Sequence, residues 1–212
     1  MKKTGNDKAA HFVAIIGTTG CGKSTELKRR LAQKRRPRVM VWSPKEPLDR
    51  YVDFFPGAQL LRSMSEVLDA VGKAGKRGKF ALVFQPTLSR AKDEAAFSLF
   101  CKIALAAGSL TLVVEELHSV TKPSSAPDGW SKLCFMGRGY GVEVFGLSQR
   151  PASVDKAFLG SLSACHCGRL SYPEDQKTMA KAMGLPIGDI ASLIGYQAVQ
   201  KDFASGKTAR LP

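Results

Sequence analysis

Residues Gly17-Thr18-Thr19-Gly20-Cys21-Gly22-Lys23-Ser24 match the spacing G-x-x-x-x-G-K-[ST], with an apolar run directly before them and a helical pattern directly after. That context restricts the chain to folds in which a strand feeds a phosphate-cradling loop and the loop opens a helix. The glycines let the backbone curl until successive N–H groups point inward at phosphate oxygens, and the helix starting near Lys23 adds the positive end of its dipole. Lys23 is then placed to reach the β and γ phosphates of ATP. Ser24 offers a hydroxyl to Mg²⁺, and Thr25 completes the run of nucleotide-binding positions. Cys21 fills a variable position in the loop and is given no redox role.

The rest of the chain alternates β-branched runs with amphipathic segments, the pattern of strand–helix units around a parallel sheet. Strands are predicted at 11–17, 38–43, 79–85, 109–116 and 142–148, with helices at 23–34, 64–74, 93–107, 130–136 and 173–183. Ser171, with Glu174 three residues on, is a capping candidate for the last helix. Two further alternating stretches, 163–170 and 196–203, read as short strands that extend the sheet or close it with a hairpin. The expected fold class is therefore α/β: a P-loop NTPase of the RecA-like, additional-strand type, with a mainly parallel sheet flanked by helices and a small C-terminal strand extension. Residues 11–203 form its single domain, between a basic tail at 1–10 and a second tail at 204–212. The segment 121–129, with two prolines and a glycine, reads as a flexible surface loop, and Gly72–Lys79 as a basic turn.

Composition bears on partners. Thirty-two Lys and Arg against 18 Asp and Glu leave +14, and residues 1–38 alone carry eleven basic side chains against Asp7 and Glu26. Such a concentration points to a polyanionic partner, with a solvated helix face and a ragged terminus as the bland alternative. The five cysteines are an odd number and no apolar leader precedes them, which fits a reducing cytosol; no apolar run approaches the roughly 18 residues of a membrane helix, so no direct membrane insertion is expected. Cys165-His166-Cys167 lacks metal-ligand spacing and reads as a buried strand end.

A nucleotide site becomes a hydrolase when a group positions and activates water. The predicted fourth strand ends Val113-Val114-Glu115-Glu116, a hydrophobic run closing on two carboxylates, the form of a Walker B segment. Adjacent strand residues point to opposite faces, so the pair can divide the work: Glu115 toward Mg²⁺ through its water shell, Glu116 as general base. The reverse assignment is also open. The fifth strand ends Leu147-Ser148-Gln149-Arg150-Pro151, which in a parallel sheet brings Gln149 to the edge that holds the loop. Its amide can donate to phosphate and accept from water, as a γ-phosphate sensor would; a plain polar strand terminus is the alternative.

Taken together, GTTGCGKST, LTLVVEEL and GRGYGVEVFGLSQRP resemble the FtsK–HerA superfamily of ring-forming DNA-pumping ATPases, and within it the genome-packaging ATPases of membrane-containing icosahedral viruses. The resemblance spans roughly residues 11–203. It implies a homo-oligomeric ring, a hexamer favoured, in which ATP sits between subunits and an arginine from a neighbour completes the site. By that analogy Arg138 is the candidate trans arginine, with Arg150 second; a turn residue or DNA contact is the alternative role for Arg138. The resemblance further implies double-stranded DNA as cargo, capsid-vertex or inner-membrane-associated viral proteins as partners, and a place in the host cytoplasm with transient residence at the capsid vertex. Glu115 departs from the commoner Asp-Glu pair, which leaves its direct ligation of metal open. Two other functions fit a P-loop of this length, a nucleotide kinase and a non-motor ATP-dependent DNA-binding switch. The 121–129 segment has one Lys and no Arg with which to grip an acceptor phosphate, which argues against the kinase.

Overall fold

The computed structural model describes residues 12–212. The basic tail 1–10 and His11, read above as the start of a strand, lie outside the described residues. In chain order the elements are β1 (Phe12–Ile16), α1 (Lys23–Ala32), β2 (Arg38–Trp42), α2 (Tyr51–Phe54), β3 (Gln59–Leu61), α3 (Met64–Ala74), β4 (Phe80–Phe84), α4 (Arg90–Ala107), β5 (Thr111–Val114), α5 (Asp128–Met136), β6 (Glu143–Ser148), α6 (Lys156–Gly160), β7 (Ala164–Gly168), α7 (Pro173–Met183), α8 (Ile187–Ala191), β8 (Ala198–Asp202) and β9 (Thr208–Leu211). They build one sheet in the order β3-β4-β2-β5-β6-β1-β7-β8-β9. It is parallel from β3 through β7 and antiparallel across β7-β8-β9. The loop strand β1 and the carboxylate strand β5 are separated by β6, the additional-strand arrangement expected above.

The period-2 geometry of strands sorts the core into two layers. Phe12, Ala14 and Ile16 face a large cluster in which α4, α5, α6 and α7 supply Phe97, Phe100, Trp130, Phe158 and Met179. Val13 and Ile15 face the other way, onto Leu27 and Leu31 of α1, Tyr51 of α2 and Phe55 just beyond it. Through the larger layer runs a relay of rings at offset or edge geometry. Phe84, Trp42, Phe97, Trp130 and Phe158 follow one another at centroid spacings of 5.0, 5.0, 5.4 and 5.4 Å. Trp130 has its indole N–H satisfied by Asp155 Oδ2 at 2.7 Å, and Asp155 Oδ1 also accepts from Phe158 N to cap α6.

Several expectations need correction. The segment 204–212 is not a tail: Thr208–Leu211 pairs with β8 as the outermost strand, its residues being too polar and too few to register as periodic. Ser171 does not cap α7. Pro173 takes the first helical position, where its missing N–H costs nothing, so Tyr172 becomes the N-cap and Glu174 falls one place early. The segment 121–129 is tied at both ends, by Thr121 Oγ1 donating to Leu117 O and by Gly129 N donating to Ser98 Oγ. The short α2, β3, α6 and α8 lie below the length at which periodicity speaks. Cys165-His166-Cys167 is the interior of β7, and all five cysteines are buried and free.

His166 contacts a polar knot under α1. Glu26 accepts from Arg29 Nε (2.8 Å) and Arg30 Nε (2.6 Å), and Gln200 of β8 donates to Glu26 Oε1 and His166 Nδ1, both at 3.0 Å. Burial pushes the Glu26 carboxyl up, but the two guanidinium groups outweigh it and bring it down to about 2. Burial drives His166 down to about 4, with Glu26 offsetting only part of the effect. Both folded pKa values lie below the ordinary ones. The contribution of this pair to stability is therefore full above about pH 6.5, falls as His166 must charge between 6.5 and 4, and falls further as Glu26 loses its charge below about 4.5. Urea titrations of wild type and His166→Gln between pH 7.5 and 5 check this: the variant is expected to lose the upper part of the pH dependence.

Candidate active site

The loop Gly17–Ser24 hangs between two strand ends. Gly17 N donates to Ser148 O of β6 at 3.1 Å, and Thr18 N donates to Arg169 O beyond β7 at 2.9 Å. Gly20 (φ 76°) and Gly22 (φ 91°) take left-handed conformations that a side chain would strain. Gly22 is also the N-cap of α1 and supplies no side chain, which leaves the first helical N–H groups open to an anion. Lys23 Nζ donates to Thr18 O at 3.0 Å across the loop. Cys21 is a packing residue: its Sγ lies 2.4 Å from where a Cβ on Gly17 would stand, so that position needs glycine, and 3.1 Å from the equivalent point on Gly168, a tight fit.

The two carboxylates diverge as the strand ends. Glu115 continues the β5 register, with its N–H bonded to Trp42 O at 3.0 Å, and its side chain is buried and accepts from the Tyr51 hydroxyl. Burial pushes its carboxyl up to about 7. Glu116 leaves the strand in the left-handed region (φ 50°, ψ 45°), a conformation a non-glycine residue holds at a cost of about 1–3 kcal/mol and that concentrates at functional sites. Its Oε1 pairs with Lys45 and accepts from Gln149 Nε2 at 2.6 Å. Burial pushes the Glu116 carboxyl up, yet Lys45, His118 and Gln149 together bring it below the ordinary range. Its Oε2 is buried without a hydrogen bond; the nearest cation candidate, His118 Nδ1 at 3.4 Å, is engaged with Ser148 Oγ.

Gln149 joins the two halves of the site. Its Oε1 accepts from Thr19 Oγ1 of the loop at 2.6 Å while its amide N–H donates to Glu116. One open cleft of about 390 Å³ is lined by Thr19, Gly20, Gly22, Lys23, Ser24 and Thr25 together with Glu115, Glu116 and Gln149. The structure thus brings every loop position and all three catalytic candidates of β5 and β6 to one sheet edge.

The arginines separate. Arg138 is in the turn after α5, donating to Ser161 O and lying 5.8 Å from the ring centroid of Phe12, the first residue of β1. It therefore stands at the sheet edge opposite its own loop. Arg150 stands at the loop's edge, paired with buried Asp175 at 2.8 Å and stacked 4.2 Å over Tyr172. Lys45, Tyr51 and His118 were not expected at the site from sequence, nor were Asp49 and Tyr196, which line the same cleft. Lys45 follows β2, and only the pairing of β2 with β5 puts it beside Glu116.

No protein-family model matches the chain. Among proteins of known sequence, Protein P9 of Pseudoalteromonas phage PM2 is 29% identical over 184 residues, which covers 84% of this chain and 78% of that protein. Among solved structures, the genome packaging NTPase B204 from Sulfolobus turreted icosahedral virus 2, in complex with ATPγS, aligns with a TM-score of 0.70 at 14% identity, covering 96% of this chain and 98% of that one. VirB4 of Thermoanaerobacter pseudethanolicus aligns at 0.62 and 10% identity over 94% and 88%. The fold is that of the genome packaging NTPase B204 and of VirB4.

Proposed function

We propose that the chain is an ATP-hydrolysing motor that moves double-stranded DNA, and that its task is to package a viral genome into a preformed capsid. The observation that carries this reading is the Gln149 bridge between Thr19 and Glu116, because it couples the state of a phosphate loop to the position of a carboxylate base. The B204 structures, described as a genome packaging NTPase with nucleotide analogues bound, support the direction of the reading.

In this reading the amides of residues 18–23 and the Lys23 ammonium hold the β and γ phosphates. Glu116 accepts a proton from the water that attacks the γ-phosphorus, the bond from that phosphorus to the bridging oxygen breaks, and ADP and inorganic phosphate leave. Gln149 orients the water and reports whether the γ-phosphate is present. The donors available for Mg²⁺ are the Ser24 hydroxyl and the Glu115 carboxylate, hard oxygen ligands that suit the ion. Among the described residues no group of three or more His, Cys, Asp or Glu side chains is placed to hold a metal. Bound there, Mg²⁺ would neutralise charge on the β and γ oxygens.

Arg138 stands too far round the sheet to serve its own site, so as a finger it would serve a neighbouring copy in a ring. DNA would be gripped through phosphates by exposed cations. Among the basic side chains of the 1–38 run, Arg30 and Arg36 are committed to Glu26 and Glu143, and Arg29 also pairs with Glu26. Arg35, Lys76, Arg77 and Lys79 are exposed, and Arg35 and Lys79 line one groove at the edge away from the nucleotide. Capsid-vertex partners and a host-cytoplasmic location follow from the same reading; among the described residues no helix is long and apolar enough to cross a membrane.

Phosphate release measured with and without duplex DNA tests the proposal. Turnover is expected to rise several-fold with DNA of any sequence, and the stimulation to fall steeply with salt. Normal ATP binding with no phosphate release under any DNA condition would overturn it, and a phosphorylated acceptor in place of free phosphate would make the protein a kinase.

A further inference from the structure

Which way the nucleotide lies in the loop follows from the strand order. Glu115, Glu116 and Gln149 extend from β5 and β6, on one side of β1, and Thr19 is bonded to Gln149, so the γ end of a bound triphosphate points toward that side. The nucleoside must then leave on the other side of β1, toward β7 and β8. The residue that stands there is Tyr196, in the turn between α8 and β8. Its Cδ1 lies 3.6 Å from where a Cβ on Gly22 would be, it borders the same cleft as Lys23, Ser24 and Thr25, and it is 74% exposed. A ring left that open at the lip of a cleft presents a free π-face.

The turn is built to hold it. Gly195 takes a left-handed φ of 54°, Gln197 N donates to Ile194 O at 2.9 Å, and Ile194 N donates to Gln197 Oε1 at 3.2 Å. Arg210 of β9 donates to that same Oε1 at 3.3 Å, anchoring the turn to the edge strand.

We propose that Tyr196 is the nucleobase platform of this site, stacking its ring on the heteroaromatic base of the nucleoside triphosphate. The inference rests on the nucleotide reading given above and adds the subsite for the base. Stacking responds to ring area and not to the hydrogen-bonding edge, so purine triphosphates bind more tightly than pyrimidine ones, with little distinction between adenine and guanine.

The test compares ATP with inorganic tripolyphosphate, which has the phosphates and no base, by equilibrium binding in Mg²⁺. Tyr196→Ala is expected to weaken ATP about tenfold or more and to leave tripolyphosphate unchanged, while Tyr196→Phe restores ATP binding. Because the side chain is largely exposed, these variants keep the fold. ATP binding as tight in Tyr196→Ala as in wild type, or equal loss for ATP and tripolyphosphate, would overturn the platform and leave the phosphate site standing. Wild type binding neither ligand would remove the nucleotide reading itself and the platform with it.

Discussion

Glu116→Gln is expected to slow phosphate release by a factor of about 10² to 10⁴ while ATP binds as well as it does to wild type. The substitution keeps the length of the side chain and an oxygen to accept from Gln149, and the new residue meets the same left-handed backbone, so the local geometry has no new reason to move. What it removes is the anionic oxygen that would take a proton, together with the ion pair to Lys45. In the proposed reading the half-exposed Lys45 ammonium would have to let go of Glu116 before that carboxylate could take a proton. The measurement is single-turnover phosphate release beside equilibrium ATP binding. Wild-type turnover in Glu116→Gln, with loss in Glu115→Gln instead, would reverse the roles of the two acids.

The second large effect is on stability. Gly129 of α5 faces the backbone of α4, and a Cβ added there would stand 1.8 Å from Ser98 O and 2.7 Å from Ser98 C. Neither atom belongs to a side chain that can rotate away. Relief requires moving one helix off the other, across a layer where Trp130 and Phe97 pack at 5.4 Å. Gly129→Ala should cost about 3 kcal/mol, at the upper end of overpacking effects. Gly72, inside α3 with nothing within 4 Å of its added Cβ, is the control; Gly72→Ala should be neutral or stabilise by about 0.5–1 kcal/mol. Urea unfolding of both variants reads the difference, and a loss below about 1 kcal/mol in Gly129→Ala would mean that the helices part easily.

The central strands and the long helices were legible because their signals are local. β1, β2, β4, β5 and β6 are runs of apolar residues buried on both faces, and α3 and α7 carry their boundaries in the sequence. In the structure a Ser63–Glu66 capping box closes the head of α3. What stayed hidden depends on sheet order. Lys45 and His118 join Glu116, and Tyr196 joins Gly22, through pairings between segments far apart in the chain, and no periodicity encodes which strand will lie next to which. The charge count misled in the same way: Arg36 and Arg38 look like surface residues in a basic run, yet Arg38 is buried and donates to the carbonyls of Gly75, Gly78 and Ala107. A guanidinium there is a staple between turns.

β1 has only five residues, and at about 3.3 Å per residue it is a strut of roughly 17 Å. Its far tip is the phosphate loop and its near tip, Phe12, sits under Arg138. What a copy would receive and what it would lend are thus the two ends of one rigid rod, buried along its whole length. If Arg138 serves a neighbour as proposed, a lone copy would carry two half-sites held a strand's length apart, and turnover would depend on protein concentration.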